Sequence, residues 1–392
     1  MLVGAGVMGR GYVDAARALG LRIVLLDEPQ YRSTYEDVVD VFATPSGRTE
    51  AHWMRGALAV AGQHQPDGVV PFSEQHVLAS AWVQDRHGLP GPSLAAADAS
   101  RNKAIQRMLF ADLDQPDFEV VASVADAVEW SRLRYPVVVK PLRGMGSAGV
   151  RCVADESALL ADLAGRDVAE QLLVESYVDA QEYSWEGLVQ DGKIVFGNYT
   201  HKMTTGAPEF VELAHRLPAD VDRARLDPQL AALVTAAGIG SSLVHLEFRD
   251  TGSVVYPMEF AVRTPGDHIM ELVCRAHGHD VFASVLELAL GRPVTVPGGS
   301  PRAAGVVYLP APGPGRITAI EGADAVSALP SVVRFGQKKQ VGDVVGGLRS
   351  SGDRVAHALV VADTLAELDA ELHRIPELVE IRVDAEEAPA DA

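Results

Sequence analysis

Two carboxylates and an arginine carry the densest chemistry in this chain. In the segment VHLEFRDTGSVVYPMEFAVRTPGD, Glu247 and Glu259 lie on two apolar and aromatic runs separated by Asp-Thr-Gly-Ser, and Arg263 follows the second carboxylate. Such runs around a turn signal read as the arms of a β-hairpin. Carboxylates brought to one side of a hairpin are hard oxygen ligands of the kind Mg²⁺ takes alongside substrate phosphates. The pattern therefore points to chemistry on a nucleoside triphosphate. Side chains alternate between the faces of a strand, so a one-residue slip would turn one carboxylate away. A two-residue Thr251-Gly252 turn pairs Glu247 with Tyr256 and points Glu259 to the opposite face. A three-residue loop, Thr251-Gly252-Ser253, pairs Glu247 with Pro257 and His245 with Glu259, and both carboxylates face one way. The metal reading thus requires an odd loop or a bulge, with His245 across from Glu259.

A phosphate grip is expected elsewhere. In VVVKPLRGMGSAGV, residues 137–150, Lys140 ends an apolar strand and precedes a loop with Gly144, Gly146, Ser147, Ala148 and Gly149. Glycines let backbone N–H groups approach phosphate oxygens, and the lysine adds a cation. No Gly-Lys-Ser/Thr follows, so this is not a Walker loop. In LLVESYVDAQEYSWEGLV, residues 172–189, an extended segment could offer backbone groups to adenine and a carboxylate to ribose. It could equally be a strand with solvated acidic residues. GAGVMG at residues 4–9, with Asp27 closing the next strand, matches a dinucleotide fingerprint. The same glycines could equally make a structural or substrate-lining turn from strand to helix.

These residues need elements to hold them. Up to about residue 93 strand and helix alternate: a short strand into the glycine turn, a helix at 12–19, a strand at 21–29, helices at 51–62 and 74–87, and a strand between them. This order implies a parallel sheet. The first strand begins at Met1, which leaves either a natural start upstream or a frayed end. From about 94 to 291 a helix at 102–109 leads to strands at 118–121 and 136–140, a strand from 150 and a helix at 156–163. Strands at 172–178, 182–190 and 193–199 follow, with Asp191-Gly192 as a two-residue hairpin turn. Residues 292–392 form a last segment whose acidic end, AEEAPADA, reads as disordered. We find no internal repeats.

At 392 residues the chain is long enough for two or three domains, and a 47% hydrophobic content excludes a disordered protein. Lys and Arg total 34 against 53 Asp and Glu, a formal charge of −19. That balance argues against nucleic acid or an anionic membrane as a partner. Two cysteines, Cys152 and Cys274, make no disulfide framework and suit a reducing cytoplasm. The most apolar stretch, 230–246, is broken by Gly238, Gly240 and His245 and reads as a helix then a strand, not a membrane span. No basic and apolar signal segment opens the sequence.

In combination the motifs resemble the ATP-grasp superfamily of carboxylate–amine ligases over about residues 65–291, and within it they are most similar to the bacterial L-amino acid ligases that make dipeptides. Those show E-x-x-H, H-x-E and E-x-x-x-R-x-x-G-D. Here these are Glu212 with His215, His245 with Glu247, and Glu259 with Arg263, Gly266 and Asp267. The resemblance implies an α/β chain with an ATP-grasp fold at 94–291 and a lid at about 120–175. A Rossmann-like parallel-sheet domain at 1–93 precedes it, and a C-terminal α+β lobe at 292–392 follows. Carried over by position, it gives ATP phosphates to Lys103 and Lys140, covered by Gly146, Ser147 and Ala148. Glu175, Ser176, Tyr177 and Val178 line adenine, and Glu182 meets the ribose. Glu247 and Glu259 hold Mg²⁺, with Mn²⁺ as a substitute. Glu212, His215, His245, Arg263 and Gly266 face the substrates, with Arg263 and Glu212 catalytic.

Many superfamily members carry a metal-binding asparagine two residues after the second glutamate; here that position is Ala261, which puts the second metal's coordination in doubt. Plainer readings stand beside these roles: Glu212 and His215 in a solvated turn, His245 as a half-buried strand histidine, Lys103 as a surface lysine. Lys202 in THKMTT is assigned to a solvated loop. The implied activity is ATP-dependent joining of a carboxylic acid, an amino acid by this reading, to an amine through an acylphosphate, with small-molecule partners and a homodimer left open. A biotin-carboxylase-like carboxylase, an NAD-dependent dehydrogenase and a non-catalytic nucleotide-binding regulator are the alternatives.

Overall fold

The computed structural model describes residues 1–167 and 171–384; the expectation for the acidic end at 385–392 lies outside the described residues. The chain divides into two compact units. The first comprises 1–115, 183–199 and 220–300, and the second 116–182, 200–219 and 301–392. The strands Gln181–Gln190 and Lys193–Thr204 run from one unit into the other along the chain.

The first unit opens with the expected parallel sheet, in the order Val41–Ala43, Val24–Leu26, Leu2–Val3, Val70–Pro71. Its core joins Val3 and Leu26 to Trp53, Ala57 and Val83 from the flanking helices Glu50–His64 and Val77–His87. The helix Lys103–Leu109 starts where Asn102 caps it, its Oδ1 accepting the Ala104 N–H at 3.0 Å. Such a cap is worth about 1 kcal/mol, and here it also fixes Lys103 at the first helical position. The strands Ser242–Asp250 and Val255–Ala261 form the expected hairpin. Asp191 and Gly192 sit at φ 51 and 75, the left-handed pair that a tight two-residue turn requires.

The second unit holds a four-stranded antiparallel sheet in the order Phe118–Val121, Leu172–Ser176, Val137–Pro141, Arg151–Val153. The helices Val124–Ser131 and Glu156–Ala164 bury Ala127 and Leu159 against Val137, Val139 and Val174. In a further sheet of the same unit, residues 201–204 pair with the strand Glu212–Leu217. That strand pairs in turn with Ala303–Pro310, then Arg354–Ala362, then Val332–Gln337. The helix Leu365–Leu378 covers this sheet through Leu368, Leu372 and Ile375. Three short strands, Val344–Val345, Gly315–Glu321 and Glu380–Asp384, complete the unit.

Candidate functional site

In the first unit the hairpin brings its two carboxylates together. Glu247 stands directly opposite Glu259, so both side chains leave the same face. The expected register is corrected in detail. The loop is four residues long, 251–254, closed by the Thr251 N–H on the Val254 carbonyl at 3.1 Å, with Gly252 at φ 88. That even loop alone would turn Glu259 away. A bulge at Met258, where the ladder shifts between Glu247 and Phe248, restores the parity. His245 therefore faces Ala261, not Glu259.

Each carboxylate has a cationic or protic neighbour. Lys103 Nζ lies 3.1 Å from both oxygens of Glu259, so Lys103 is no surface lysine. His245 Nε2 is 3.4 Å from Glu247 Oε1, and its Nδ1 is 3.1 Å from Glu186 Oε1. Burial alone would lower the His245 pKa, but hydrogen bonds to Glu186 and Glu247, together with their charges, outweigh it and raise the value. Glu186, 1% exposed, also accepts from Ser184 Oγ at 2.7 Å and Asn198 Nδ2 at 2.9 Å. Sequence reasoning missed Glu186. Its one signal was a carboxylate at period two from Ser184 on the same strand.

These residues fit a divalent cation of the Mg²⁺ type. The side chains of Glu247 and Glu259 keep 25% and 22% exposure, so both are partly accessible. No group of three His, Cys, Asp or Glu residues among those described is placed to cage a metal. Mg²⁺ is commonly held by one or two carboxylates, the rest of its shell being phosphate and water. Ala261 offers no donor.

Arg263 lies beyond the strand, which ends at Ala261, so the alternation of faces does not extend to it. Its Nε donates to Glu74 Oε2 at 3.2 Å and its Nη1 to the Thr264 carbonyl at 2.8 Å. Glu74 is 1% exposed and also meets Arg101 Nη1 at 3.2 Å. Gly266 accepts the Ile269 N–H at 3.1 Å at the start of the helix Ile269–His277. In the glycine turn at residues 4–9 two backbone N–H groups are already engaged. Asp27 Oδ2 accepts the Ala5 and Gly6 N–H groups at 2.9 Å each, the donors a dinucleotide pyrophosphate would need. A Cβ on Gly4 would lie 2.0 Å from the His76 ring.

In the second unit Lys140 and Glu175 form a buried ion pair at 2.5 Å. The register explains it: Val138 faces Glu175, and Lys140 is two residues on, on the same face. The side chain of Glu175 is thus committed to Lys140. In the expected adenine segment the Ser176 and Tyr177 N–H groups bond to Asp117 and Pro136 carbonyls, and Ala180 N–H to the Val178 carbonyl. Tyr177 stacks on Phe210 with ring centroids 5.9 Å apart. Gly146 and Ser147 take φ 64 and 59, and Ser147 Oγ donates to the Phe210 carbonyl at 3.2 Å. Ala148 closes the turn, its N–H 3.4 Å from the Met145 carbonyl.

Lys202 is not in a solvated loop. It lies on the strand Lys193–Thr204, 2% exposed, with Nζ 3.2 Å from Glu182 and 3.3 Å from Glu212. Nor do Glu212 and His215 lie in a solvated turn; both are buried on the strand Glu212–Leu217, and His215 meets Tyr308 edge-on. Ser351 and Arg354, which sequence reasoning left unassigned, complete this cluster. Ser351 Oγ is 2.5 Å from Glu212 Oε2, and Arg354 Nη1 is 3.3 Å from the Glu212 carbonyl.

Residues 133–271 match the family model of the ATP-grasp domain, and residues 307–384 match L-amino acid ligase C-terminal domain 2. The chain is 25% identical over 390 residues to the uncharacterized protein y4rH of Sinorhizobium fredii, covering 95% of this chain and 80% of that one. It superposes on an L-amino acid ligase from Bacillus licheniformis with a TM-score of 0.85 at 22% identity, covering 98% of both chains. It superposes on an N5-carboxyaminoimidazole synthetase from Staphylococcus aureus, complexed with ADP, with a TM-score of 0.73 at 14% identity over 96% of both.

Proposed function

From its membership of the ATP-grasp superfamily, with the second C-terminal domain of the L-amino acid ligases, we propose that this enzyme joins the carboxylate of an amino acid to an amine at the expense of ATP. The observation that carries the reading is the carboxylate pair, Glu247 facing Glu259 across the ladder with Lys103 on the second. Residues 94–291 would form the ATP-grasp part between an N-terminal domain and a C-terminal lobe.

A carboxylate is a poor electrophile because its leaving group would be oxide. Transfer of the γ-phosphoryl group to the carboxylate oxygen gives an acylphosphate and releases ADP. The amine nitrogen then attacks the acyl carbon, the carbon–oxygen bond to phosphate breaks, and phosphate leaves. Mg²⁺ on Glu247 and Glu259 would neutralise phosphate charge. Lys140 and the glycine loop would bind phosphate oxygens through the ammonium group and backbone N–H groups. Arg263 would stabilise the oxyanion when the amine adds, since its fork is held by Glu74 and Thr264. Glu212 would hold the incoming ammonium group or accept its proton.

Incubation with ATP, Mg²⁺ and single or paired amino acids, with product analysis, tests this. ADP and phosphate released only with a competent pair, together with a condensed product, is the expected outcome. AMP and pyrophosphate would refute the acylphosphate route. ADP release that depends on bicarbonate and not on amino acids would make the enzyme a carboxylase.

A further inference from the structure

Ser351 belongs to the loop before the strand Arg354–Ala362, and all its polar atoms are engaged within the second unit. Its hydroxyl donates to Glu212 Oε2 at 2.5 Å. Its N–H donates to the Gly146 carbonyl at 3.1 Å. Its carbonyl accepts from Arg354 Nε at 3.0 Å and Lys338 Nζ at 3.1 Å. The loop around it is built to hold this posture. Asp353 Oδ2 accepts the Arg349 and Ser350 N–H groups at 3.0 and 2.8 Å and lies 3.0 Å from Ser350 Oγ. The Arg354 guanidinium rests 3.7 Å from the centre of the Tyr308 ring, so the arginine that anchors Ser351 is itself clamped.

The consequence falls on Glu212. Lys202 is 3.3 Å from Oε1 while Ser351 takes Oε2, so both oxygens are bound and the carboxylate plane is fixed. Lys202 is a compact ammonium on a flexible stem and sets distance more than orientation. A hydroxyl on a short side chain, with its backbone bonded on both sides, sets orientation. We infer that Ser351 is the positioning residue for Glu212, aiming that carboxylate at the amine substrate, and that it is seated on the glycine loop through Gly146. This rests on the reading of Glu212 as the group that meets the amine.

Hydroxylamine separates the two half-reactions. It traps an acylphosphate as a hydroxamate and, being small and strongly nucleophilic, does not need an oriented carboxylate. Ser351→Ala removes only the hydroxyl and leaves the backbone contact to Gly146. A hydrogen bond to a charged group is among the stronger ones. We expect the KM for the amine in condensation to rise about tenfold in Ser351→Ala, with hydroxamate formation from the acid partner changing by less than about twofold. Ser351→Thr, which keeps a hydroxyl, restores the amine KM. An unchanged amine KM in Ser351→Ala, or a parallel fall in hydroxamate formation, overturns the inference. Absence of hydroxamate from the wild-type enzyme with every standard amino acid would refute the proposed function itself.

Discussion

At the scale of single residues, the candidate site groups are held in place by partners far away in sequence. Arg263 illustrates it. Its Nε and Nη1 are tied to Glu74 and the Thr264 carbonyl, and Nη2 has no partner among the described residues. A guanidinium held on two sides presents its remaining donors with little entropy left to lose. We predict that Arg263→Ala lowers turnover by ~10²-fold or more, as loss of an oxyanion donor does. The variant should fold, because Glu74 keeps Arg101. Turnover close to wild type in a protein with an unchanged far-UV spectrum would remove Arg263 from the mechanism. The candidate residues themselves were legible as candidates, since Glu, Arg and Lys at motif spacing announce the chemistry they could do. Their holders were not. Glu74, Glu186 and Ser351 sit in plain strands, helical turns or loops, and only the folded chain shows that each meets a residue far away in sequence. Lys202 was misread for the same reason: a lysine among threonines reads as solvated until two distant carboxylates are seen around it.

At the scale of elements, the hairpin shows how far pattern reading goes. Two strands, their turn and the need for an odd loop or a bulge all followed from alternation. Where the bulge lies did not, because it is set by tertiary contacts. Gln106 bonds both backbone groups of Phe260, its Nε2 to the carbonyl at 3.1 Å and its Oε1 to the N–H at 2.9 Å. Arg107 Nη2 donates to the Met258 carbonyl at 3.0 Å. The helix that delivers Lys103 to Glu259 therefore also pins the bulged strand from its side. Register and charge pairing come from one element. This yields a composition-neutral prediction. Exchanging the bulged residue and the carboxylate, as Met258→Glu with Glu259→Met, moves one acidic group by one position. It should abolish the facing pair and lower Mg²⁺-dependent ADP release by ~10²-fold or more. The unfolding transition should stay cooperative, because Gln106 and Arg107 bind backbone atoms that the exchange leaves in place. Retained activity in the exchanged variant would dissociate the carboxylate register from catalysis.

At the scale of the whole molecule, no helix among the described residues is long and apolar enough to cross a membrane. How the whole responds to acid follows from two histidines, one in each unit. His76 packs on Trp53 with ring centroids 4.2 Å apart, and its Nδ1 is 3.1 Å from the Ser73 N–H. Burial, then the charge of Arg101, lowers its pKa to about 3. Burial, then the charge of Arg216, lowers that of His201 to about 4. Both folded values lie below the ordinary histidine value of about 6.5. As pH falls below about 6.5, the unfolded chain takes up protons that the folded chain refuses, so stability drops; the loss levels off near the folded values. Two effects oppose this: His245, whose folded value is raised, adds stability as it protonates, and acid also neutralises part of the −19 charge and relieves self-repulsion. Salt screens that repulsion more than it affects buried groups. We therefore predict that at high salt the urea midpoint falls between pH 7 and pH 5. His76→Gln should start lower at pH 7, having lost the ring that packs on Trp53, yet decline less steeply, because one refused proton is gone. A midpoint that stays flat at high salt, or an equal slope in the variant, would mean that buried histidines do not set the acid limit of this fold.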